Sequence, residues 1–327
     1  MILTAIIAGG DGMAFTVDRE YEYLAAMFGQ ELQDRGDTYE VFDVDDITLV
    51  QRGRTRLFHR GAELDPAGRV YVPSPISICP VRERKLANIY YVLLEQGLPL
   101  LNRSFAASPE LEVNKTVMQA LVADLDIPCV PTMDLAPHMS PEDVLAAAEA
   151  LGFGLPMILK PNRLSNGIGI LRCHDRPDFI EQVRLIQRLK ADYLLQDYVS
   201  HIGDLRTFLS RDEIFGHRLR KPAGTEFRAN LSFGAKWHEI ELPAKVEEWS
   251  LRIAARCHAD YIVIDWLMTD TGFVFNEMCS TIGTFIGVPA DMKTRLANTI
   301  LNIGRRKLTG SLTPRSGDRE QDRQPSP

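Results

Sequence analysis

The sequence is short of cysteine, has no long apolar run and carries no excess of positive charge. No hydrophobic segment approaches the roughly 18–20 residues that a membrane span requires, so we expect no membrane partner. The net charge of −7 gives no general attraction to nucleic-acid phosphates, and we expect no nucleic-acid partner. Any site for a polyanion must therefore be a local basic cluster.

The five cysteines are scattered along the chain without a close C-x-x-C pair: Cys79, Cys129, Cys173, Cys257 and Cys279. This spacing argues against a zinc site or a disulfide framework and is typical of proteins in a reducing compartment. The first residues lack a basic leader, and residues 2–8 predict a strand rather than a signal peptide. We therefore expect a cytoplasmic protein.

What the chain does have is the balance of a globular protein, with 45% hydrophobic and 25% charged residues in a length of 327. That length allows two or three domains. Residues 1–104 predict strands at 2–8, 39–44 and 98–101 and helices at 18–35 and 83–96. This alternation predicts an open α/β sheet in an N-terminal domain.

Beyond residue 104 the pattern changes twice. Residues 105–190 predict helices at 112–125, 140–152 and 178–189 around strands at 128–133, 157–160 and 170–173. Residues 191–310 predict closely spaced strands at 194–198, 205–209, 213–220, 261–269 and 272–278, with helices at 244–258 and 292–306. The tail, 311–327, has almost no apolar side chain and is predicted to be disordered.

The most informative segment is a strand that delivers Lys160 to a loop of small residues, 162–169. Glycines let backbone N–H groups approach phosphate oxygens, and the lysine supplies a fixed positive charge. The alternative is a hairpin in which Gly167 and Gly169 satisfy turn geometry only. The segment alone does not decide between them.

Two other segments place polar groups beside predicted strands. Residues 196–199 end one strand and Asp204 opens the next, where backbone groups and a carboxylate can bind an adenine edge and ribose hydroxyls. An ordinary strand end is the alternative.

The second segment, 226–230, follows the densest basic cluster (Arg218, Arg220 and Lys221) and would place three polar residues on one side if extended: Glu226, Arg228 and Asn230. A solvated charged face is the alternative there.

Two acids, Asp265 and Glu277, lie in apolar strands that a turn at 270–272 is predicted to join. An unpaired carboxylate in such a strand is costly. A hard cation would compensate both charges, since Mg²⁺ prefers oxygen ligands shared between carboxylates and nucleotide phosphates. The alternative is salt bridging with nearby arginines.

Taken in order, these segments resemble the ATP-grasp superfamily, and most closely its branch of ribosomal-protein glutamate ligases and related peptide-forming enzymes. The resemblance spans about residues 110–305 and rests on the joint occurrence of short motifs at plausible spacing. These motifs are Asn114-Lys115, Lys160 with Ser165-x-Gly167-x-Gly169, Gln196-Asp197-Tyr198-Val199, Asp204-x-Arg206, Glu226-Phe227-Arg228-x-Asn230, Asp265 and Glu277.

The resemblance implies a mixed α/β and α+β architecture, the ATP-grasp fold. An N-terminal α/β domain (1–104) would precede two α+β subdomains that clasp ATP, 105–190 with a lid loop and 191–310 with metal-binding acids, and 311–327 would be the tail. Lys115 and Lys160 would contact the phosphates of ATP. The remaining nucleotide-binding residues would be Ser165, Gly167 and Gly169 in the lid, Gln196, Asp197, Tyr198 and Val199 at adenine, and Asp204 at the ribose.

The resemblance also implies a metal site and a chemistry. One or two Mg²⁺ ions, with Mn²⁺ as an alternative, would bind Asp265, Glu277 and the position of Cys279. The catalytic residues that would steady the transferred phosphate and the acyl intermediate are Arg220, Arg228 and Asn230. A small-molecule or peptide carboxylate would attack the γ-phosphate, and an amine would then attack the acyl phosphate, with release of ADP and phosphate. A homo-oligomer is compatible with the sequence.

Two positions depart from the family pattern. The family commonly has Asp before its first lysine, where this chain has Asn114, and its metal-binding Glu-x-Asn is here Glu277-Met278-Cys279. A thiol is a poor ligand for Mg²⁺, which leaves the number of metal ions open.

Three other functions stay open. One is a ligase that crosslinks a precursor peptide through ester or amide bonds, and another is a nucleotide-binding regulatory protein without turnover, which Cys279 favours. A dinucleotide-binding protein built on Gly9-Gly10-Asp11-Gly12 has less support, because Gly-rich turns after first strands are common.

Overall fold

The computed structural model describes residues 1–8, 16–74, 79–163, 167–281, 285, 288 and 290–310. Gly9-Gly10-Asp11-Gly12, the lid residue Ser165 and the predicted tail 311–327 lie outside these residues. Among the described segments, no helix is both long and apolar enough to cross a bilayer. All five cysteines are free thiols.

Helices and strands are numbered in chain order. The helices are α1 Val17–Asp34, α2 Pro80–Glu95, α3 Arg103–Ala107, α4 Glu110–Val113, α5 Lys115–Ala123, α6 Pro141–Ala150, α7 Arg176–Leu189, α8 Ala244–Arg256 and α9 Ala290–Leu308. The strands are β1 Ile2–Ile7, β2 Thr38–Asp43, β3 Ile47–Arg52, β4 Arg54–His59, β5 Ala62–Glu63, β6 Arg69–Ser74, β7 Thr132–Asp134, β8 Met157–Pro161, β9 Leu171–Cys173, β10 Tyr193–Asp197, β11 Gly203–Leu209, β12 Ile214–Lys221, β13 Lys236–His238, β14 Ile262–Thr269 and β15 Gly272–Cys279.

The N-terminal part is built on a parallel sheet of order β2-β1-β6, beside a small antiparallel sheet of order β3-β4-β5. Helix α1 begins where the Thr16 side chain accepts a hydrogen bond from Arg19 N, and its apolar face, which includes Leu24 and Phe28, packs on the parallel sheet. The same core contains Leu296 and Ile300 of α9. The last helix therefore packs against the first part of the chain.

The remaining strands form two larger sheets. Strands β7-β10-β8-β9 pack on α6 and α7, and strands β13-β12-β11-β14-β15 pack on α5 and α8. Strand β10 pairs with β7 and β8, although it follows the division that we expected at residue 190. Both sheets contribute residues to the cleft described below.

The structure corrects the prediction of one helix over 112–125. The helix is broken at Asn114, whose extended backbone (φ −108°, ψ 106°) ends α4 and begins α5. The Asn114 side chain accepts a hydrogen bond from Val117 N at 3.2 Å, as an N-cap residue does. The break places Lys115 at the first position of α5.

Candidate active site

A cleft between the two larger sheets consists of two adjoining cavities of about 550 Å³ and 360 Å³. Residues common to both cavities come from β8, β11 and β15 and from the segments after the lid and β12. They are Lys160, Ile170, Asp204, Asn230 and Asn276. The two cavities form one elongated site with different chemistry at its two ends.

Half of the residues that line the larger cavity are apolar or aromatic. All four residues predicted to hold adenine line it, and apolar neighbours complete its walls: Val130, Ile158, Leu267 and Phe227. Tyr198 and Phe227 meet edge to face with their ring centroids 6.3 Å apart, and the Arg172 guanidinium lies 5.0 Å from each centroid. A pocket of this composition accommodates a flat ring and fixes it with a few polar groups.

The smaller cavity brings together Lys115 and Lys160, the two predicted phosphate-binding lysines. Lys115 Nζ donates to the Asn162 carbonyl at 3.1 Å, and Lys160 Nζ donates to Asn276 Oδ1 at 3.1 Å. The pKa of Lys115 is lowered to about 8, mainly by burial; the charge of Glu277 opposes this shift and the charge of Lys160 adds to it. Two mutually repelling cations in one buried cavity favour an anionic ligand.

The described end of the lid loop is shaped by two glycines. Gly167 and Gly169 have φ values of +71° and +77°, where side chains other than glycine are strained. A Cβ atom on Gly167 would lie 2.5 Å from Asn230 Oδ1, and one on Gly169 would lie 2.8 Å from Tyr193 Oη. The positive φ favours glycine at both positions, and an added Cβ would displace the side chain of Asn230 or Tyr193.

Asp265 forms salt bridges with arginines, the alternative to metal binding that the sequence left open. Arg206 binds its two oxygens at 2.7 and 2.6 Å, and Arg220 donates to Oδ2 at 2.9 Å. Although burial opposes ionisation, the two arginines hold the pKa of Asp265 at about 2. Arg220 also donates to Asp204 Oδ2 at 2.7 Å. The predicted catalytic residue Arg220 therefore lies behind Asp204, within a buried network of four charges.

Asp204 presents its other oxygen without a partner. Burial raises its pKa to about 7, against the opposing charge of Arg220. Within the described residues Oδ1 is buried and accepts no hydrogen bond, and the side chain lines both cavities. A donor supplied by a ligand would satisfy it.

Strands β14 and β15 pair as the turn at 270–272 predicted, with Asp265 opposite Glu277. A bulge beside Asp265 leaves Asn276 without an opposing residue, so both Asn276 and Glu277 face the smaller cavity. Phe275 and Met278 pack in the core instead. Glu277 Oε2 lies 3.5 Å from Lys160 Nζ.

Cys279 is turned away from this pair of oxygen ligands. Its thiol donates to Glu112 Oε1 at 2.8 Å, and burial raises its pKa well above the usual range. No group of three His, Cys, Asp or Glu side chains is gathered as a metal site within the described chain. Glu277 and Asn276 nevertheless offer oxygen atoms beside the lysines, which fits one Mg²⁺ ion that shares the phosphates.

The predicted catalytic residues Arg228 and Asn230 lie in the connection between β12 and β13 rather than in an extended strand. Arg228 binds Glu226 through two hydrogen bonds of 2.9 and 2.8 Å, which are the main cause of the Glu226 pKa of about 2. It also donates to the Gly167 carbonyl at 3.3 Å. Arg228 therefore contacts the lid, whereas Asn230 lines both cavities beside Gly167.

Sequence reasoning assigned no role in the site to Asn162. Asn162 Oδ1 accepts a hydrogen bond from Lys115 N at 2.8 Å, which ties the end of β8 to the start of α5. Its position directly after a lysine-bearing strand was the available signal. Nothing in the alternation of β15 predicts the bulge that turns Asn276 into the site.

Comparison with known proteins gives one family match over more than half of the chain. The family described as RimK-like ATP-grasp domain matches residues 113–303. A protein named probable alpha-L-glutamate ligase, from Pseudomonas aeruginosa, is 27% identical over 146 residues, which are 44% of this chain and 48% of that protein. The chain spans about half the length of the curated relatives it matches.

Two solved structures resemble nearly the whole chain. The ATP-grasp ligase PsnB, complexed with a minimal precursor, has a TM-score of 0.63 and 15% identity and covers 92% of this chain and 98% of its own. The D-alanine–D-alanine ligase from Bacillus anthracis, complexed with ATP, has a TM-score of 0.62 and 12% identity and covers 95% and 100%. At such identities the likeness shows the fold, and it confirms the predicted ATP-grasp architecture.

Proposed function

Because the chain belongs to the RimK-like ATP-grasp family, we propose that it is an ADP-forming ligase that joins a carboxylate to an amine with ATP and Mg²⁺. The observation that carries this proposal is the convergence of Lys115 and Lys160 at one end of a cleft whose other end contains the rings of Tyr198 and Phe227 among apolar residues. A nucleoside triphosphate has a matching arrangement, with an aromatic base at one end and a negatively charged triphosphate at the other.

In this proposal the chain binds ATP along the cleft. The 196–199 segment and Phe227 hold the adenine ring, and the unpartnered oxygen of Asp204 accepts a hydrogen bond from a ribose hydroxyl. Lys115 and Lys160 bind the phosphates. Arg228 and Asn230 hold the described end of the lid loop against the opposite subdomain, which limits the access of water.

The reaction proceeds in two steps. A substrate carboxylate oxygen attacks the γ-phosphorus and the bond to the β,γ-bridging oxygen breaks, which gives an acyl phosphate and ADP. The amine then attacks the acyl carbon, inorganic phosphate leaves with the bonding electrons, and the amine gives up a proton. The cationic side chains Lys115 and Lys160 stabilise the charge that develops on the phosphoryl oxygens.

Glu277 and Asn276 are the residues that would hold Mg²⁺, which supplies Lewis-acid polarisation of the phosphates when bound. Asp265 supports the site through Arg206 and Arg220, which occupy both of its oxygens. Cys279 contributes no ligand, because its thiol is committed to Glu112. We therefore propose one firmly bound ion.

Product analysis tests the proposal. The purified protein is incubated with ATP, Mg²⁺ and pools of carboxylates and amines that include L-glutamate, D-alanine and short peptides, the classes that the names of the relatives suggest. Release of ADP and phosphate that depends on both a carboxylate and an amine is expected, and hydroxylamine should trap the acyl phosphate. AMP and pyrophosphate would contradict the mechanism. Nucleotide binding without turnover in every pool would favour the regulatory alternative.

A further inference from the structure

A buried glutamine of α5 has no part in the reaction as described, although it lies one helical turn from a phosphate-binding lysine. Gln119 follows Lys115 by four residues, and positions i and i+4 of a helix lie on the same face. Both side chains are buried. The Gln119 amide Nε2 donates a hydrogen bond to the backbone carbonyl of Asn276 on β15 at 2.7 Å. One face of α5 thus supplies a cation to the smaller cavity and a hydrogen-bond donor to a strand that lines it.

The carbonyl that Gln119 binds belongs to the bulged residue of β15. Asn276 is the extra residue in the pairing of β15 with β14, because the residues on either side of it are opposed to consecutive residues of β14. Consecutive side chains of a regular strand point to opposite faces, whereas those of Asn276 and Glu277 both line the smaller cavity. The arrangement of oxygen atoms in this cavity therefore depends on how the bulge is held.

The residues on either side of the bulge are fixed by backbone pairing. Phe275 exchanges backbone hydrogen bonds with the segment 128–130, and the residue after the bulge is opposed by β14. Two side chains bind Asn276 itself: Gln119 binds its carbonyl, and Lys160 Nζ donates to its Oδ1 at 3.1 Å. Lys160 also binds phosphates in the proposed function. The hydrogen bond from Gln119 is thus the one of the two that a bound nucleotide leaves in place.

The Gln119 amide uses its donor and leaves its acceptor unused. Oε1 is buried and accepts no hydrogen bond within the described part of the chain. Its neighbours on the helix, Met118 and Val122, pack in the apolar core that contains Phe275. A buried polar atom without a partner costs stability, and an apolar side chain would avoid that cost at Oε1. The contact with the bulge accounts for an amide at this position of the helix.

We propose that Gln119 is a positioning residue for the metal site. Its hydrogen bond to the Asn276 carbonyl holds the bulge in the form that turns the oxygen atoms of Asn276 and Glu277 into the smaller cavity. Gln119 lines neither cavity, so it acts through the main chain of β15 and not as a ligand. This inference rests on the proposed function, in which Asn276 and Glu277 would hold Mg²⁺.

Binding without turnover tests the proposal. The Kd of the non-hydrolysable ATP analogue AMPPNP is measured by calorimetry in EDTA, and the Kd of Mn²⁺ for the protein–AMPPNP complex by electron paramagnetic resonance. Gln119→Met keeps a side chain of similar length without the donor. We expect its Mn²⁺ affinity to fall roughly 10–100-fold, the loss typical of removing an outer partner of a metal ligand, with AMPPNP affinity in EDTA unchanged. The Tm should change little, because the substitution removes one unpartnered atom, Oε1, and takes the donor from another, the Asn276 carbonyl oxygen.

Three further variants control for the change of side chain. Gln187→Met, in α7, removes a glutamine that also donates to a backbone carbonyl, that of Met139 at 2.9 Å, and should leave both affinities unchanged. Gln119→His restores a ring N–H of similar reach and should recover part of the Mn²⁺ affinity that Gln119→Met loses. Gln119→Ala removes the donor with the best helix-forming residue, and serves if Gln119→Met does not fold.

A folded Gln119→Met protein that binds Mn²⁺ as tightly as the wild type would overturn the inference. An equal loss of AMPPNP affinity with and without Mn²⁺ would also overturn it, because Gln119 would then act on the packing of α5 and its lysine. The wild type separates this inference from the proposed function. A wild type whose AMPPNP complex binds no Mn²⁺ contradicts the metal site of the proposed function, whereas Mn²⁺ binding that is equal in the wild type and the variant contradicts only the role of Gln119.

Discussion

Lys115 and Lys160 share one cavity although their charges repel each other, and the chain stabilises that arrangement with neutral and negative oxygens. Asn162 and Asn276 accept hydrogen bonds from the two ammonium groups, and Glu277 stands 3.5 Å from the second. A bound polyphosphate would offset the repulsion between the two lysines more strongly than these oxygens do. The lysines therefore contribute more to the binding of a polyphosphate than to the stability of the protein without it.

Replacing Lys160 by alanine tests this reasoning. We expect turnover to fall roughly 100–1,000-fold, the loss typical of removing one donor that stabilises transition-state charge. The Tm should change little, because the substitution removes a buried charge together with its packing. Lys245→Ala, at an exposed position on α8, is the matched control and should leave both quantities unchanged. Near-normal turnover in a folded Lys160→Ala protein would refute the assignment.

The departure at Cys279 gives a second prediction at the residue scale. Cys279→Asn should keep activity or lower the Mg²⁺ concentration needed for the half-maximal rate, since an amide can donate to Glu112 and also offer an oxygen ligand. Glu277→Gln should reduce turnover roughly 100-fold or more, because it removes the charge that the cation requires. A Mg²⁺ titration of turnover, with Mn²⁺ stoichiometry measured in parallel, compares both variants with the wild type. If Cys279→Asn binds Mg·ATP but is inactive, the thiol has a role of its own.

At the scale of the element, patterns of burial were predictable and local breaks were not. The apolar runs of β8, β14 and β15 and the facing positions of Asp265 and Glu277 followed from periodicity and one turn signal. At the break, the Asn114 side chain accepts from Val117 N and donates to Glu110, and the bulge at Asn276 depends on pairing with another strand. Neither cause is visible in a local sequence pattern.

Strands β3 and β4 escaped prediction for a related reason. The hairpin of β3 and β4 carries Arg52, Arg54 and Arg56, and its exposed residues dilute the alternation that marks a strand. The role of Arg228 also required the structure, because the sequence showed Glu226 beside it without showing that the two side chains bind each other. Partner choice among nearby charges is a tertiary property.

The lid provides a prediction for a single loop. Gly167→Ala should cost about 1 kcal/mol in stability, because alanine is strained at a positive φ, and it should also lower turnover by displacing Asn230. Gly224→Ala is the matched control: Gly224 has φ +57° and nothing within 4 Å of an added Cβ, so only the strain is expected. Urea unfolding and steady-state kinetics measure the two effects separately. Equal kinetic behaviour of the two variants would show that the close approach at Gly167 does not matter.

At the scale of the whole molecule, one hydrophobic core contains residues of α9, of the five-stranded sheet and of the N-terminal sheet. This shared core packs the N-terminal part against the sheet that carries one side of the nucleotide cleft. Glu112 adds a polar connection between α4 and the end of β15. Ionised Glu20 costs stability, because the side chain is buried and its Oε1 accepts no hydrogen bond from the described residues.

That cost predicts the pH dependence of stability. Burial raises the pKa of Glu20 from 4.5 to about 7, so the folded protein binds this proton more tightly than the unfolded chain. The group therefore favours folding below pH 4.5, and its contribution is lost as the pH rises through 7. Each pKa unit corresponds to about 1.4 kcal/mol, which sets an upper limit of about 3 kcal/mol for the full shift. Tyr90, Tyr261 and Glu112 are the titratable groups that share its surroundings.

Glu20→Gln should consequently be more stable than the wild type at pH 8, by up to about 3 kcal/mol, and should lose most of that advantage at pH 5. The free energy of unfolding is measured with urea at both pH values for the wild type, Glu20→Gln and the exposed control Glu22→Gln. Asp204, whose pKa is also about 7, contributes the same trend to all three proteins and cancels in the differences. An amide that destabilises the protein equally at both pH values would mean that Glu20 has a structural partner in the folded apo state.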